Sequence, residues 1–276
     1  MTDEELLMLK RMIYKTTNID LNYYKDRQMR RRLGSFVERS GEPDVRSFCQ
    51  KLEHDKTLLE KLRNFLTINV SEFFRDAAQF EYLRDVILPE LLHNNTRLNI
   101  WSAGCSRGTE PYSIAMLLEK LSPGHKHRIL ATDVDEGALA QAKAGGPYTE
   151  AEVRNVSASL LRKYFSRESE SRFWIVDGLK TRVTFRKHDL LRDPYGHGFD
   201  MVICRNVIIY FTEEAKKSIG QKLANALKKD GVLFIGGSEV MFNCRDLGLV
   251  VIRPGFYRRC AMNNDGVSLG EPMLSY

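Results

Sequence analysis

Long apolar stretches are missing from this chain. Runs such as Val202 to Cys204 and Val207 to Tyr210 fall far short of the ~20 consecutive apolar residues that a membrane-spanning helix requires. The opening Met1-Thr2-Asp3-Glu4-Glu5 is acidic, unlike the basic and then apolar start of a signal peptide. A cytoplasmic protein with no direct membrane insertion is expected. Paired cysteines are missing as well. Cys49, Cys105, Cys204, Cys244 and Cys260 are odd in number and widely scattered, with no Cys-x-x-Cys and no grouping with histidine that suits a metal. Reduced thiols and no metal are therefore expected. His125 and His127, in a polar stretch after Pro123-Gly124, read as solvated loop residues. A strong charge bias is lacking too: a net charge of +6 permits an anionic partner without requiring a nucleic acid. No internal repeat is visible.

What is present is enough apolar residue for a substantial core. At 276 residues and 43% hydrophobic content, two domains are the natural expectation. Up to about residue 93 the pattern is helical, with three- and four-residue spacing in Leu6, Leu7, Leu9, Ile13 and again in Leu58, Leu59, Leu62, Phe65, Leu66. Strand signals begin at Leu98-Asn99-Ile100-Trp101. From there strands and helices alternate: a helix over 110–121, a strand over 128–132, helices to about Phe165, a strand over 199–204, a helix over about 212–228 and a strand over 231–235. Such alternation implies a mainly parallel sheet with helices on both faces. Phe173 to Val176 and Arg182 to Phe185, joined through Asp177-Gly178, read as a short hairpin, and Leu249 to Ile252 with Phe256 to Arg259 as a closing one. The polar, aperiodic tail over 261–276 is expected to be disordered or weakly packed.

The chemistry starts where the first strand runs into Ser102-Ala103-Gly104-Cys105-Ser106-Arg107-Gly108-Thr109-Glu110. Glycines between a strand and a helix let backbone approach a nucleotide-like ligand. Gly-Lys-Ser/Thr and Gly-x-Gly-x-x-Gly are both absent, so a ligand without phosphate is favoured. S-adenosylmethionine is such a ligand, and its positive charge calls for acidic residues. Glu110 opens the following helix, Asp133 ends the second strand where a carboxylate can accept ribose hydroxyls, and Asp189 follows a later strand where it could meet the adenine amine. Each acid alone is more often a cap or turn residue. Three of them at strand ends or at the mouth of the turn favour the ligand.

Ser102 to Ala115, Ala131-Thr132-Asp133, Cys204 to Phe211 and Asn69 to Asp76 together resemble the chemotaxis receptor methyltransferases of the CheR family, and the likeness covers nearly the whole chain. The resemblance implies a Rossmann-like S-adenosylmethionine-dependent methyltransferase domain of class α/β, preceded by a small all-helical domain and carrying a short β-hairpin subdomain. It implies a helical receptor-recognition domain over 1–75, a connecting helix over 76–93, the methyltransferase domain over 94–260 with its hairpin insert at about 172–188, and the tail. It also implies an activity: methyl transfer from S-adenosylmethionine to glutamate side chains in the cytoplasmic domain of methyl-accepting chemoreceptors, giving methyl esters and S-adenosylhomocysteine. By motif match, Asn69, Ser71 and Arg75 would approach the cofactor, and Glu110, Asp133, Asp189, Leu190, Arg205 and Asn206 would line its pocket. Arg75 would orient the substrate carboxylate with its planar fork of donors, and Tyr210 would turn a hydroxyl to the transfer site. Where related families carry an acid just before the first glycine, this chain has Ser102 and Ala103. The amino-acid end of the cofactor would then meet Glu110 and backbone at Ala103 and Gly104.

Six basic residues, Lys25, Arg27, Arg30, Arg31, Arg32 and Arg39, face only Asp26 and Glu38 in the same stretch. Arg27, Arg30 and Arg31 share one helical face, which the resemblance makes a docking surface for a glutamate-rich receptor. Some family members grip a receptor's C-terminal tether peptide with a glycine-rich β subdomain. The stretch over 172–188 is short and holds only Gly178, so no tether binding is expected. A nucleic-acid methyltransferase is disfavoured because Cys204-Arg205-Asn206-Val207 stands where base-amine enzymes carry Asp/Asn-Pro-Pro-Tyr/Phe. A scaffold that has lost turnover is opposed by Arg75 and Tyr210 together.

Overall fold

The computed structural model describes residues 1–67, 71–237, 239–241 and 243–260. The chain divides into two compact units: Met1–Val70 with Ile208–Lys216, and Ser71–Val207 with Lys217–Tyr276.

The first unit is helical, with α1 (Asp3–Thr17), a 3-10 turn at Leu21–Tyr23, α2 (Asp26–Arg39), α3 (Val45–His54) and α4 (Lys56–Thr67). Thr2 and Glu5 cap α1 reciprocally, each side chain accepting from the other's backbone N–H, which satisfies two amides the helix leaves over. Leu6, Leu9 and Ile13 from α1 meet Met29, Leu33 and Val37 from α2, with Phe48, Leu52 and Leu62 completing the core. Burial of each such side chain contributes about 1.5–3 kcal/mol. Ile208–Lys216 joins this unit through local bonds. Phe211 packs edge-on against Tyr24 at 4.8 Å, Lys25 N–H donates to the Tyr210 carbonyl at 3.0 Å, and Thr212 N–H donates to Tyr23 O at 2.8 Å.

The second unit opens with a continuous helical run: α5 (Ala77–Tyr82), a π-helical stretch at Leu83–Ile87 and α6 (Leu88–Asn94). Pro89 at the start of α6 has no N–H to return to the preceding turn, which accounts for the widened stretch before it. Then come β1 (Asn99–Ala103), α7 (Thr109–Leu121), β2 (Arg128–Asp133), α8 (Glu136–Ala144), α9 (Glu150–Val153), α10 (Ala158–Tyr164), β3 (Phe165–Ser169), β4 (Arg172–Ile175), α11 (Asp177–Lys180) and β5 (Val183–Lys187). The order finishes with β6 (Phe199–Cys204), α12 (Glu213–Ala226), β7 (Leu227–Ile235), β8 (Leu249–Arg253) and β9 (Phe256–Arg259).

Seven strands form one sheet in the order β5-β2-β1-β6-β7-β9-β8. β5, β2, β1, β6 and β7 run parallel, while β9 and β8 close the edge antiparallel. All six residues of β6 are buried, as expected for a central parallel strand covered on both faces. Its one acid, Asp200, is satisfied by Asn99 N–H at 2.7 Å and by Lys228 Nζ at 2.6 Å. The chain leaves β1 toward β2 on one side and returns as β6 on the other. The carboxyl ends of β1 and β6 therefore flank the switch point where open α/β sheets bind ligands.

The mainly parallel sheet and the closing hairpin agree with the sequence reading; the other hairpin does not. β4 pairs with β3, Phe165 opposite Ile175 and Ser166 opposite Trp174. The Val183 strand instead joins the main sheet parallel to β2. Asp177-Gly178 is not a hairpin turn but part of the short helix α11, which carries the chain from the small sheet to the large one. β3 escaped detection because only Phe165 of Phe-Ser-Arg-Glu-Ser is buried. The hairpin thus lies over 165–175 rather than 172–188.

The unit boundary also differs from residue 75. Phe73 N–H donates to Glu152 O at 2.9 Å, Phe74 N–H donates to Ser113 Oγ at 3.0 Å, and the Phe73 ring packs on Tyr148 and Phe165. Those contacts bind Ser71–Arg75 into the α/β unit. The tail over 261–276 lies outside the described residues.

Candidate functional site

β1 ends at the switch point in a turn with three left-handed residues, Gly104 (φ 82°), Ser106 (φ 48°) and Gly108 (φ 86°). The end of β2 holds it: Gly104 and Cys105 N–H both donate to Thr132 O, at 2.8 and 2.9 Å, and Ser106 N–H donates to Asp133 Oδ2 at 2.7 Å. The two glycines make room for the protein's own side chains. A Cβ on Gly104 would stand 2.5 Å from Val207 Cγ2, and one on Gly108 would stand 2.9 Å from Ala142 Cβ. Gly104 thus closes on the loop after β6, and Gly108 on Ala142 of α8 and Phe185 of β5.

Glu110 sits in the first turn of α7. Ser102 Oγ donates to its Oε1 at 2.7 Å and Arg205 Nη1 stands 3.5 Å from Oε2. Burial pushes the Glu110 carboxyl up, against the opposing pull of Arg205 and Ser102. Arg205 itself is 2% exposed at its side chain. Its Nη2 donates to Asp76 Oδ2 at 2.6 Å and to the Arg75 carbonyl at 2.9 Å, and its guanidinium lies 4.8 Å above Phe234 and 5.3 Å from Phe80. Its Nε is buried without a partner. A buried cation between two carboxylates thus ties Arg75–Asp76 to the carboxyl ends of β1 and β6. Nearby, Glu72 pairs with Arg154 at 2.7 Å and Asp76 with Arg205.

Asp133 accepts from Ser106 N–H through Oδ2 and from Asp135 N–H at 2.9 Å through Oδ1. Burial raises its carboxyl, and these backbone bonds oppose the shift. Each oxygen keeps lone-pair capacity for a ligand hydroxyl. Ser71 shares a short hydroxyl contact with Thr109 at the start of α7. Asp189 accepts from Leu191 N–H at 2.8 Å, Asp193 accepts from Asp189 N–H at 2.8 Å, and the Leu190 carbonyl accepts from Tyr195 Oη at 2.8 Å. That loop after β5 is self-braced. Asn206 lies directly after Arg205 with φ 58°.

The structure therefore joins Ser102, Glu110, Arg205 and Asp133 to the turn carrying Ala103 and Gly104, with Asn206 beside them. Asn69 lies outside the described residues. Tyr210 belongs to the helical unit, half-buried at the end of a 3-10 turn. On α2, Arg27 and Arg31 are exposed, whereas Arg30 pairs with Asp3 and donates to the Met1 carbonyl at 2.9 Å. His127, read as solvated, accepts from Leu98 N–H through Nδ1 at 3.2 Å. Sequence reasoning missed Asp76 as the partner of Arg205, and it missed Glu239, which accepts from Asn206 N–H at 2.6 Å. The signal used for Asp133, an acid just beyond a strand, was also available for Glu239 after β7.

Residues 69–251 match the CheR methyltransferase SAM-binding domain and residues 4–67 the CheR methyltransferase all-alpha domain. The chain belongs to the CheR methyltransferase family. Among its relatives are chemotaxis protein methyltransferases from Listeria monocytogenes, 38% identical over 92% of this chain and 97% of that one, and from Borreliella burgdorferi, 32% identical over 94% and 95%. Chemotaxis protein methyltransferase 1 of Pseudomonas aeruginosa is 37% identical over 89% and 93%. The chain is an S-adenosylmethionine-dependent methyltransferase of chemotaxis, and glutamate O-methylation is the activity of its family. The site suits this cofactor: Glu110 and Asp133 are partly buried carboxylates that desolvation pushes up, an environment that a cationic ligand relieves. Among the described residues, no helix is long and apolar enough to cross a membrane.

Proposed function

We propose that this CheR-family enzyme methylates glutamate side chains on the cytoplasmic helices of methyl-accepting chemoreceptors, and that it works in the cytoplasm. When bound, S-adenosylmethionine supplies an electrophilic methyl group on a sulfonium. Glu110 and the backbone at Ala103 and Gly104 hold its amino-acid end, Asp133 accepts from its ribose hydroxyls, and Asp189 and Leu190 meet its adenine. Ser71 and Asn206 complete the pocket. A glutamate is already an anionic nucleophile at neutral pH, so no strong base is needed. Positioning at a near-attack separation of ~3–3.5 Å carries the rate. Arg75 orients the glutamate carboxylate through a bidentate fork. The observation that carries this reading is the Arg205 anchor. It pins the Arg75 backbone beside Glu110.

The exposed Arg27 and Arg31 on α2 suit an acidic receptor helix; Arg30, engaged with Asp3, adds to the field of that face. The β3–β4 hairpin contains no glycine, which supports the reading that it does not grip a receptor tether by strand addition. The test is transfer of a radiolabelled methyl group to receptor-containing membranes, with release of methanol by base. Label that resists base marks an amide or N-methyl product and overturns glutamate esterification. Charge reversal at Arg27 and Arg31 should lower receptor methylation and leave S-adenosylhomocysteine affinity unchanged. Equal loss of cofactor affinity in calorimetry removes the docking role.

A further inference from the structure

We propose that Glu239 is a positioning residue for methyl transfer, whose buried carboxylate clamps the loop after β6 to the end of β7 and so shapes the cofactor pocket. The inference rests on the reading that Asn206 lines that pocket. Glu239 is only 4% exposed. Its Oε2 accepts from two backbone amides on neighbouring strand ends, Asn206 N–H at 2.6 Å and Gly236 N–H at 2.8 Å. Its own N–H donates to the Gly236 carbonyl at 2.9 Å. Asn206 stands at φ 58°, a left-handed conformation that asparagine tolerates better than most residues. A charge-assisted bond to its amide helps to hold it there.

The clamp has no slack. A Cβ on Gly236 would meet Glu239 Oε2 at 2.5 Å and Asn206 Nδ2 at 3.2 Å. The next residue along the clamped loop, Val207, fills the space over Gly104 with its Cγ2 at 2.5 Å from a Cβ there. A carboxylate in the turn after β7 is therefore linked, through one backbone amide and one valine, to the cofactor turn after β1. A buried acid is costly unless it is bonded. The Asn206 and Gly236 amides that bond it both belong to the strand ends that frame the pocket.

The expected signature is a split between donor binding and chemistry. Glu239→Ala should raise the KM for S-adenosylmethionine and the Kd for S-adenosylhomocysteine by about tenfold or more. At saturating donor, kcat should stay within about threefold, since Arg75 is anchored separately through Arg205. Glu239→Gln keeps an oxygen that can accept both amides and should restore Kd to within about twofold of the parent. If the alanine variant does not fold, Gly236→Ala, which drives a methyl into the carboxylate, should show the same split. Unchanged S-adenosylhomocysteine affinity in a folded Glu239→Ala or Gly236→Ala protein overturns the proposal, as does a glutamine variant as impaired as alanine. Asp133→Ala is the control. If it too leaves affinity unchanged, the pocket reading fails; if it alone loses affinity, only the clamp fails.

Discussion

The ends of β1 and β6 lie side by side in the sheet and are built from opposite materials. The β1 end is shaped by what is missing: Gly104 and Gly108 lack side chains, and backbone bonds to Thr132 fix the turn. The β6 end is shaped by what is buried, since Arg205 carries a full charge into a shell of Phe80, Phe234, Glu110 and Asp76. The first design costs backbone freedom and the second costs desolvation, so they should fail in different ways. Loss of a glycine strains one loop, whereas loss of the arginine strands Glu110 without its cation.

The largest effect is expected at Arg205. Arg205→Ala leaves Glu110 buried without its cation, and breaking a buried pair costs about 3–5 kcal/mol. Thermal unfolding should show a large fall in Tm with activity lost at all donor concentrations. A stable, active Arg205→Ala protein would make the two strand ends alike. Gly104→Ala comes next, at about 1–3 kcal/mol, because it combines a left-handed residue with a methyl pressed into Val207. The double variant Gly104→Ala/Val207→Ala should recover part of that loss; strict additivity of the two substitutions in denaturant titrations would show that Val207 is not the obstacle. Ser102→Ala removes one hydrogen bond to Glu110 and should cost about 1 kcal/mol, with a weaker S-adenosylhomocysteine affinity.

A gentler probe is pH. Glu110 and Asp133 are held above the ordinary carboxylate range by burial. Because the folded-state values are raised, the stability these groups contribute is fully present below their unfolded values and lost as pH rises through the folded ones. Acidification from neutral to about pH 5 should therefore not weaken the ligand-free protein through these two groups. Cofactor binding runs the other way, since a cationic ligand favours the ionised forms. Its affinity should start to fall at a pH above the ordinary ~3.9–4.3 of free carboxylates. An affinity flat over that range would remove both acids from the pocket.

Local pattern made much of this legible. β6 matches its expected range because an apolar run bounded by turns has one simple solution, and Glu110 opens the helix after β1 while Asp133 ends β2. What stayed hidden depends on partners distant in sequence. The Val183 strand has the right period, yet nothing local says that it pairs with β2 rather than with Arg172–Ile175. Tyr210 reads as part of the methyltransferase segment, and only the contacts of its neighbour Phe211 and of its own carbonyl with Tyr24 and Lys25 place it in the helical unit. Asp76 and Glu239 are ordinary loop acids until folding brings Arg205 and the Asn206 amide to them.

The central claim is that the cofactor sits at the paired ends of β1 and β6. Backbone amide shifts followed by NMR during titration with S-adenosylhomocysteine test it most directly. The largest changes should fall on Gly104 to Glu110, Asp133 and Arg205 to Asn206; changes confined to other strand ends, with these amides unmoved, would contradict it.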